Sequence, residues 1–236
     1  MSFVSSKLLL SRSGSRLVAS QARSKHTLPQ LDYAYSELSP VWSEEIVKNH
    51  HTGNHQAYVN NLNAAELAMT QAIATGDTKK TAELYKAIRF NAGGHLNHTF
   101  LWKVVTPLAA AQRADPSATA TTLEAGTLRS HIEKSFGSTD GLIAKMNAQT
   151  AAIQGSGWGW LAVNKASGSI EIITTPNQDN PIYYGYDPIF GIDAWEHAFY
   201  LDYKTAKAEY FKQIWRIANW NQIQLNYETA MSSLKK

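Results

Sequence analysis

The chain contains no cysteine among its 236 residues. That absence excludes disulfides, thiolate metal sites and cysteine nucleophiles together, so any metal must be held by His, Asp or Glu. No apolar run approaches the roughly 20 residues that span a bilayer, and there is no repeat or long low-complexity tract, so the chain reads as soluble with no membrane partner. Acid is missing from residues 1–24, which carry Lys7, Arg12, Arg16 and Arg23 among many serines. Leu8 to Leu10 is too short for a secretory core, and the composition is that of an organellar transit peptide, mitochondrial on balance, with the mature protein in the matrix. Without those four cations the net charge of +3 becomes −1, which leaves no electrostatic case for a nucleic-acid partner.

What is present begins with an extended entry, Leu28 to Tyr35, after which Pro40 permits a helix to start. Helical composition runs from about Glu44 to Ala74, with a break possible at Gly53 and an end at Gly76–Asp77. A second long helix fits Lys79 to Val105, stopping before Pro107. Two long helices on a short connection predict an antiparallel hairpin. Small residues at 106–121 mark a linker and a lobe boundary. Helices are expected again over Leu123–Ser135 and Thr139–Ile153. Then the period changes: Ser156–Asn164 and Ile170–Thr175 flank a Lys-Ala-Ser-Gly-Ser turn as a β-hairpin, Asn180–Tyr186 is a loop, and Ile189–Ile192 is a third strand. Lys204–Trp220 and Asn221–Leu234 read as closing helices. The expected fold is α+β: an N-terminal α-hairpin domain over 25–112 and a C-terminal α/β domain over 113–236 with a small three-stranded antiparallel sheet.

Chemistry concentrates in 191–203, Gly-Ile-Asp-Ala-Trp-Glu-His-Ala-Phe-Tyr-Leu-Asp-Tyr. Asp193 and His197, four apart at a strand-to-helix passage, can reach one cation, but two ligands make half a site. Six of the eight histidines fall in three clusters: His50, His51 and His55; His95 and His98; and His197. A single helical histidine is more often an ordinary hydrogen-bonded core residue. Three clusters, with one histidine offered by each long helix, fit a shared metal better, and the tryptophans around them would suit either a core or a dry wall beside a metal.

The segments His-His-x3-His-x2-Tyr-Val-Asn-Asn at 50–61, Phe-Asn-Ala-Gly-Gly-His-Leu-Asn-His at 90–98, Gln-Gly-Ser-Gly-Trp-Gly-Trp at 154–160, Pro-Asn-Gln-Asp at 176–179 and Asp-Ala-Trp-Glu-His-Ala at 193–198 resemble those of the iron/manganese superoxide dismutases. Lys-His-Thr-Leu-Pro at 25–29 resembles the mature start of the family's mitochondrial manganese members. The resemblance implies a single metal held by His50, His98, Asp193 and His197, with solvent at a fifth position, and superoxide as substrate. It places Tyr58 and Gln178 in a hydrogen-bonded network that supplies protons, with Trp102, Trp158 and Trp195 walling the site. Glu196 and Tyr200 match residues that cross to a partner subunit, which implies a homodimer, a homotetramer being the larger alternative. Gln178 on the strand loop with Gly94 on the second helix matches the manganese pattern; the ligand set by itself would suit iron as well.

The sequence also departs from the family. Asn54 stands where a histidine is usual, and an amide hydrogen-bonds but does not titrate near neutrality, so proton delivery is expected to change rather than activity to vanish. Phe199 replaces a common tyrosine, and Tyr183, Tyr184, Gly185, Tyr186 and Asp187 replace a more aliphatic loop. Because fold does not fix function, a non-enzymatic descendant is the competing reading. Such a descendant would be expected to have lost ligands or the Tyr58–Gln178 pair, and this chain keeps both.

Overall fold

The computed structural model of the chain describes residues 25–109, 112, 115 and 117–234; the expected transit peptide lies outside the described residues, as does part of the 106–121 linker. The first helix, α1 (Glu44–Lys48), starts where Ser43 accepts the amide of Ile46, an N-cap that satisfies one of the free donors of the first turn. It continues without a break through a π-helical segment, Asn49–His55, into α2 (Gln56–Ala74). Gly76, at φ 71°, lets the chain reverse, and Asp77 caps α3 (Thr78–Val104) by accepting the amide of Lys80. The contact of His55 with His95 near one end and the cluster of Met69, Ala72 and Leu84 near the other make the pair an antiparallel hairpin, as the sequence predicts.

The second lobe has α4 (Thr127–Phe136) and α5 (Thr139–Ala151), then β1 (Gly157–Asn164), β2 (Ile170–Pro176) and β3 (Tyr186–Asp193) in an antiparallel sheet ordered β2-β1-β3. β1 is central and buried along nearly its whole length, with Trp158 opposite Asp193. The register slips between Leu161 and Ala162, where Pro188 faces Ala162; a proline has no amide hydrogen to give a ladder and is tolerated on an edge strand beside such a bulge. Trp42, Trp158, Trp160, Tyr210, Phe190 and Phe211 head the core, each worth about 2–3 kcal/mol of burial. Trp42 Nε1 donates to the Ala198 carbonyl at 2.8 Å and Tyr203 Oη to the Val41 carbonyl at 2.6 Å, so the entry segment is tied to the chain around His197.

Three expectations need correction. Leu123 is buried, but Gly126 precedes the helix, which begins at Thr127; Leu123 is a core side chain on a loop. The third strand is longer than the apolar run and starts at Tyr186, its polar first half lying at the rim. The helix expected over Lys204–Trp220 is replaced by α7 (Lys207–Gln213) and a 3-10 turn, Ile214–Ile217, preceded by a separate short helix, α6 (Tyr200–Tyr203), and followed by α8 (Trp220–Ser233). Lys204 takes φ 50° and ψ −120°, far from helical backbone, and so ends α6.

Candidate metal centre

His50 comes from the π-helical segment, His98 from the middle of α3, Asp193 from the last residue of β3, and His197 from the 3-10 turn Glu196–Ala198. The structure brings these four together. Asp193 Oδ2 lies 3.2 Å from His50 Nε2, 3.6 Å from His98 Nε2 and 3.1 Å from His197 Nε2, and one donor atom from each of the four lies within 4.8 Å of every other. Atoms bound at about 2.1 Å to one ion stand about 3 to 4.2 Å apart, so the group closes on a common centre with shifts of about half an ångström. His50, His98 and Asp193 are 0–1% exposed.

Polar satisfaction gives an independent test of fit. His50 Nε2 and His98 Nε2 are buried without a hydrogen-bond partner among the described residues, a costly state that a metal ion relieves. Their surroundings prepare them for it. His98 Nδ1 donates to the Gly94 carbonyl at 2.7 Å, which leaves Nε2 as the lone-pair nitrogen. The Asp193 carboxylate is fixed by the Trp195 amide on Oδ1 at 2.9 Å, which presents Oδ2 inward. Burial holds His50 down to about 4, the nearby Asp193 carboxylate opposing it, and holds His98 well below the ordinary imidazole range, with the neighbouring His50 adding to the effect. Burial alone would raise Asp193, but the His197 and His50 imidazoles outweigh it and keep the carboxyl below its usual range. Three imidazoles and one carboxylate form a borderline-to-hard donor set with room for a divalent or trivalent ion.

Around this centre Trp102 packs edge-on to His50 at 5.0 Å, Trp158 edge-on to His98 at 5.3 Å, and Trp195 stacks on His197 at 5.4 Å. The Tyr58 ring lies 5.2 Å from His98, over Gly94, where a Cβ would come within 2.5 Å of the ring; the glycine is therefore required by the tyrosine. Gln178, fully buried, donates from Nε2 to Tyr58 Oη at 3.1 Å. Its Oε1 accepts from Trp158 Nε1 at 3.1 Å and Asn97 Nδ2 at 3.2 Å, so the amide can point only one way. Burial first, then the Asp193 charge, pushes the Tyr58 phenol up, Gln178 pulling in the opposite direction. Asn54 is half-buried and makes no side-chain hydrogen bond among the described residues. Glu196 and Tyr200 are exposed.

Sequence reasoning missed three neighbours. Trp42 lies edge-on to His50 at 6.0 Å, hidden in an ordinary apolar stretch. Asn97 sits inside the Leu-Asn-His motif and was readable only as a motif letter. His55 links Trp102 Nε1, 3.1 Å from its Nδ1, to His95 Nδ1, 2.8 Å from its Nε2; the clustering pointed to it without assigning it a partner.

The alpha-hairpin domain of the iron/manganese superoxide dismutases matches residues 25–106, and the C-terminal domain of the same family matches 124–226. The chain belongs to the iron/manganese superoxide dismutases. Relatives include "Superoxide dismutase [Mn], mitochondrial" of Cryptococcus neoformans, 49% identical over 216 residues, which are 92% of this chain and 89% of the relative. The protein of the same name in Drosophila melanogaster is 43% identical over 88% of this chain and 91% of its own length, and "Superoxide dismutase [Mn] 1, mitochondrial" of Arabidopsis thaliana is 41% identical over 93% and 92%. As an iron/manganese superoxide dismutase the chain has its four candidate ligands in three of the five motifs of the sequence, at 50–61, 90–98 and 193–198.

Proposed function

We propose that this chain is a manganese-dependent superoxide dismutase of the mitochondrial matrix, converting superoxide to O2 and H2O2. The observation that carries the reading is the convergence of His50, His98, Asp193 and His197 on one buried point, with two imidazole nitrogens left unpartnered. Manganese, rather than iron, is supported by the names of the relatives and by Gln178 reaching Tyr58 across Gly94. Held by His50, His98, Asp193 and His197, a bound ion would supply a trivalent/divalent couple for the one-electron oxidation of one superoxide to O2 and the reduction of a second, with uptake of two protons, to H2O2.

The chain's own residues do the rest. His50, His98, His197 and Asp193 hold the ion, and Trp102, Trp158 and Trp195 keep bulk water from its flanks. Tyr58 Oη accepts from Gln178, so its own hydrogen is directed elsewhere, and because burial raises the phenol it stays protonated through the physiological range as a proton store. Gln178 fixes that orientation through its single permitted amide rotamer. Glu196 and Tyr200, exposed beside His197, serve a partner subunit in a homodimer, with a homotetramer as the larger assembly. The chain divides into lobes 25–112 and 113–236, the ligands being shared between them.

Metal content and superoxide removal of the purified protein, wild type against His98→Ala, test the reading. About one manganese per subunit with activity in the wild type, and loss of both in His98→Ala, is expected. A wild type that takes up no metal and removes no superoxide leaves only the non-enzymatic descendant.

A further inference from the structure

Gln178 lies on the loop after β2, between Asn177, whose φ is 53°, and Asp179. Inside the protein the loop is anchored by Asn97 Nδ2, 3.1 Å from the Gln178 carbonyl oxygen, which itself lies against Gly93 of α3. Outside, a separate group of side chains grips the next residue. Arg89 donates to both Asp179 oxygens, from Nε at 3.0 Å and from Nη2 at 2.7 Å, and Tyr184 Oη donates to Asp179 Oδ2 at 2.6 Å. The Arg89 guanidinium also lies over the Tyr183 ring at 5.0 Å. Arg89 precedes Phe90, whose ring packs on Tyr58 at 5.8 Å and on Trp195 at 6.3 Å. The clamp therefore joins the Gln178 loop to the turn of α3 that faces the site, and it uses tyrosines from the segment in which this chain departs from the family's aliphatic loop.

We propose that Arg89, Asp179 and Tyr184 are positioning residues that set Gln178 against Tyr58. This rests on the role given to Gln178 above. An exposed ion pair adds little to folding stability, but the fork of an arginine on a carboxylate fixes geometry in two directions. A hydrogen bond at 3.1 Å between two buried groups tolerates displacements of only about half an ångström. Asp179 is covalently next to Gln178, so any slack in the clamp is delivered to the amide directly.

The experiment compares manganese-loaded Asp179→Asn, Arg89→Lys and Tyr184→Phe with wild type, alone and in a Gln178→Ala background. It reads kcat, KM, metal content and the midpoint potential of the bound metal. Asp179→Asn should lower kcat about tenfold, the lower end for an outlying partner of a metal site, with KM and metal content unchanged and the potential moved in the same direction as in Gln178→Ala. Arg89→Lys and Tyr184→Phe should fall between it and wild type. In the Gln178→Ala background all three should have no further effect, because residues acting through one group are not additive. Equal losses in both backgrounds, or no loss and no shift of potential in any of the three, overturn the clamp while leaving Gln178 in its role. A Gln178→Ala protein with wild-type kcat and potential overturns both.

Discussion

His50 and His98 are held neutral and Asp193 anionic by where they sit, and this gives acid a specific point of attack. In the metal-free protein burial holds His50 down to about 4 and His55 to about 3, with His98 also depressed. The unfolded chain takes up protons on these rings below about 6.5 while the folded one does not, so stability is full above that pH and falls as the pH drops towards 4. Each ring costs about 1 kcal/mol per pH unit in that window. Asp193, held below the ordinary range, adds a loss at still lower pH, through its folded titration. Melting of the metal-free protein should accordingly show a flat temperature midpoint above neutrality and a steep decline between pH 6.5 and 4; a flat profile across that window would contradict the burial of neutral imidazoles. At position 54 the expected outcome is kinetic. Asn54→His should alter the pH profile of turnover with metal content unchanged, and identical profiles would put residue 54 outside the proton network. The ligands were legible because each lies in a motif whose order along the chain is distinctive. Trp42, Asn97 and Arg89 were not, since their roles depend on partners 81 to 156 residues away, which no local pattern reveals.

Among the elements, the π-helical segment Asn49–His55 is one that the sequence did not disclose. Its composition is plainly helical, and i to i+5 pairing leaves no periodic mark over so short a stretch. Such segments recur at functional sites, and here the widened turn sets the angle between His50 and Tyr58. Deleting Gly53, where a side chain would meet nothing within 4 Å, should restore a regular helix and turn His50 by about 100° relative to Tyr58. Metal analysis should then show an empty protein with near-native helical circular dichroism. Gly53→Ala keeps the length and should retain metal and gain about 0.5–1 kcal/mol in urea unfolding. Gly94→Ala, by contrast, should displace the Tyr58 ring and lower turnover at least about tenfold. The hairpin and the β1–β2 pair were legible because long periodic runs and a glycine turn mark them. The closing segment was misread for the opposite reason: α7 and the 3-10 turn keep a near-continuous buried stripe through Tyr210, Phe211, Ile214 and Trp215, while the reversal at Lys204 is made by a residue with no turn signature.

For the whole molecule, the exposed pair Glu196 and Tyr200 lies beside a ligand rather than at a distant surface, together with Leu201, 41% exposed. Sedimentation of the purified protein should give a dimer or larger species. Glu196→Lys should weaken that association and reduce activity in the same protein, whereas a monomeric wild type with full activity would remove the partner from the site. No helix among the described residues is long and apolar enough to cross a membrane.

One feature of the centre also bears on the order of maturation. Its donors are spread from residue 50 to residue 197 and are nearly sealed from solvent, His197 alone showing 15% of its side chain. The helical hairpin offers two of them, and β3 with the turn after it the other two, so an ion can be held only once these elements have met, and later exchange must wait for local opening. A centre closed in this way favours whichever suitable ion is at hand as those elements come together.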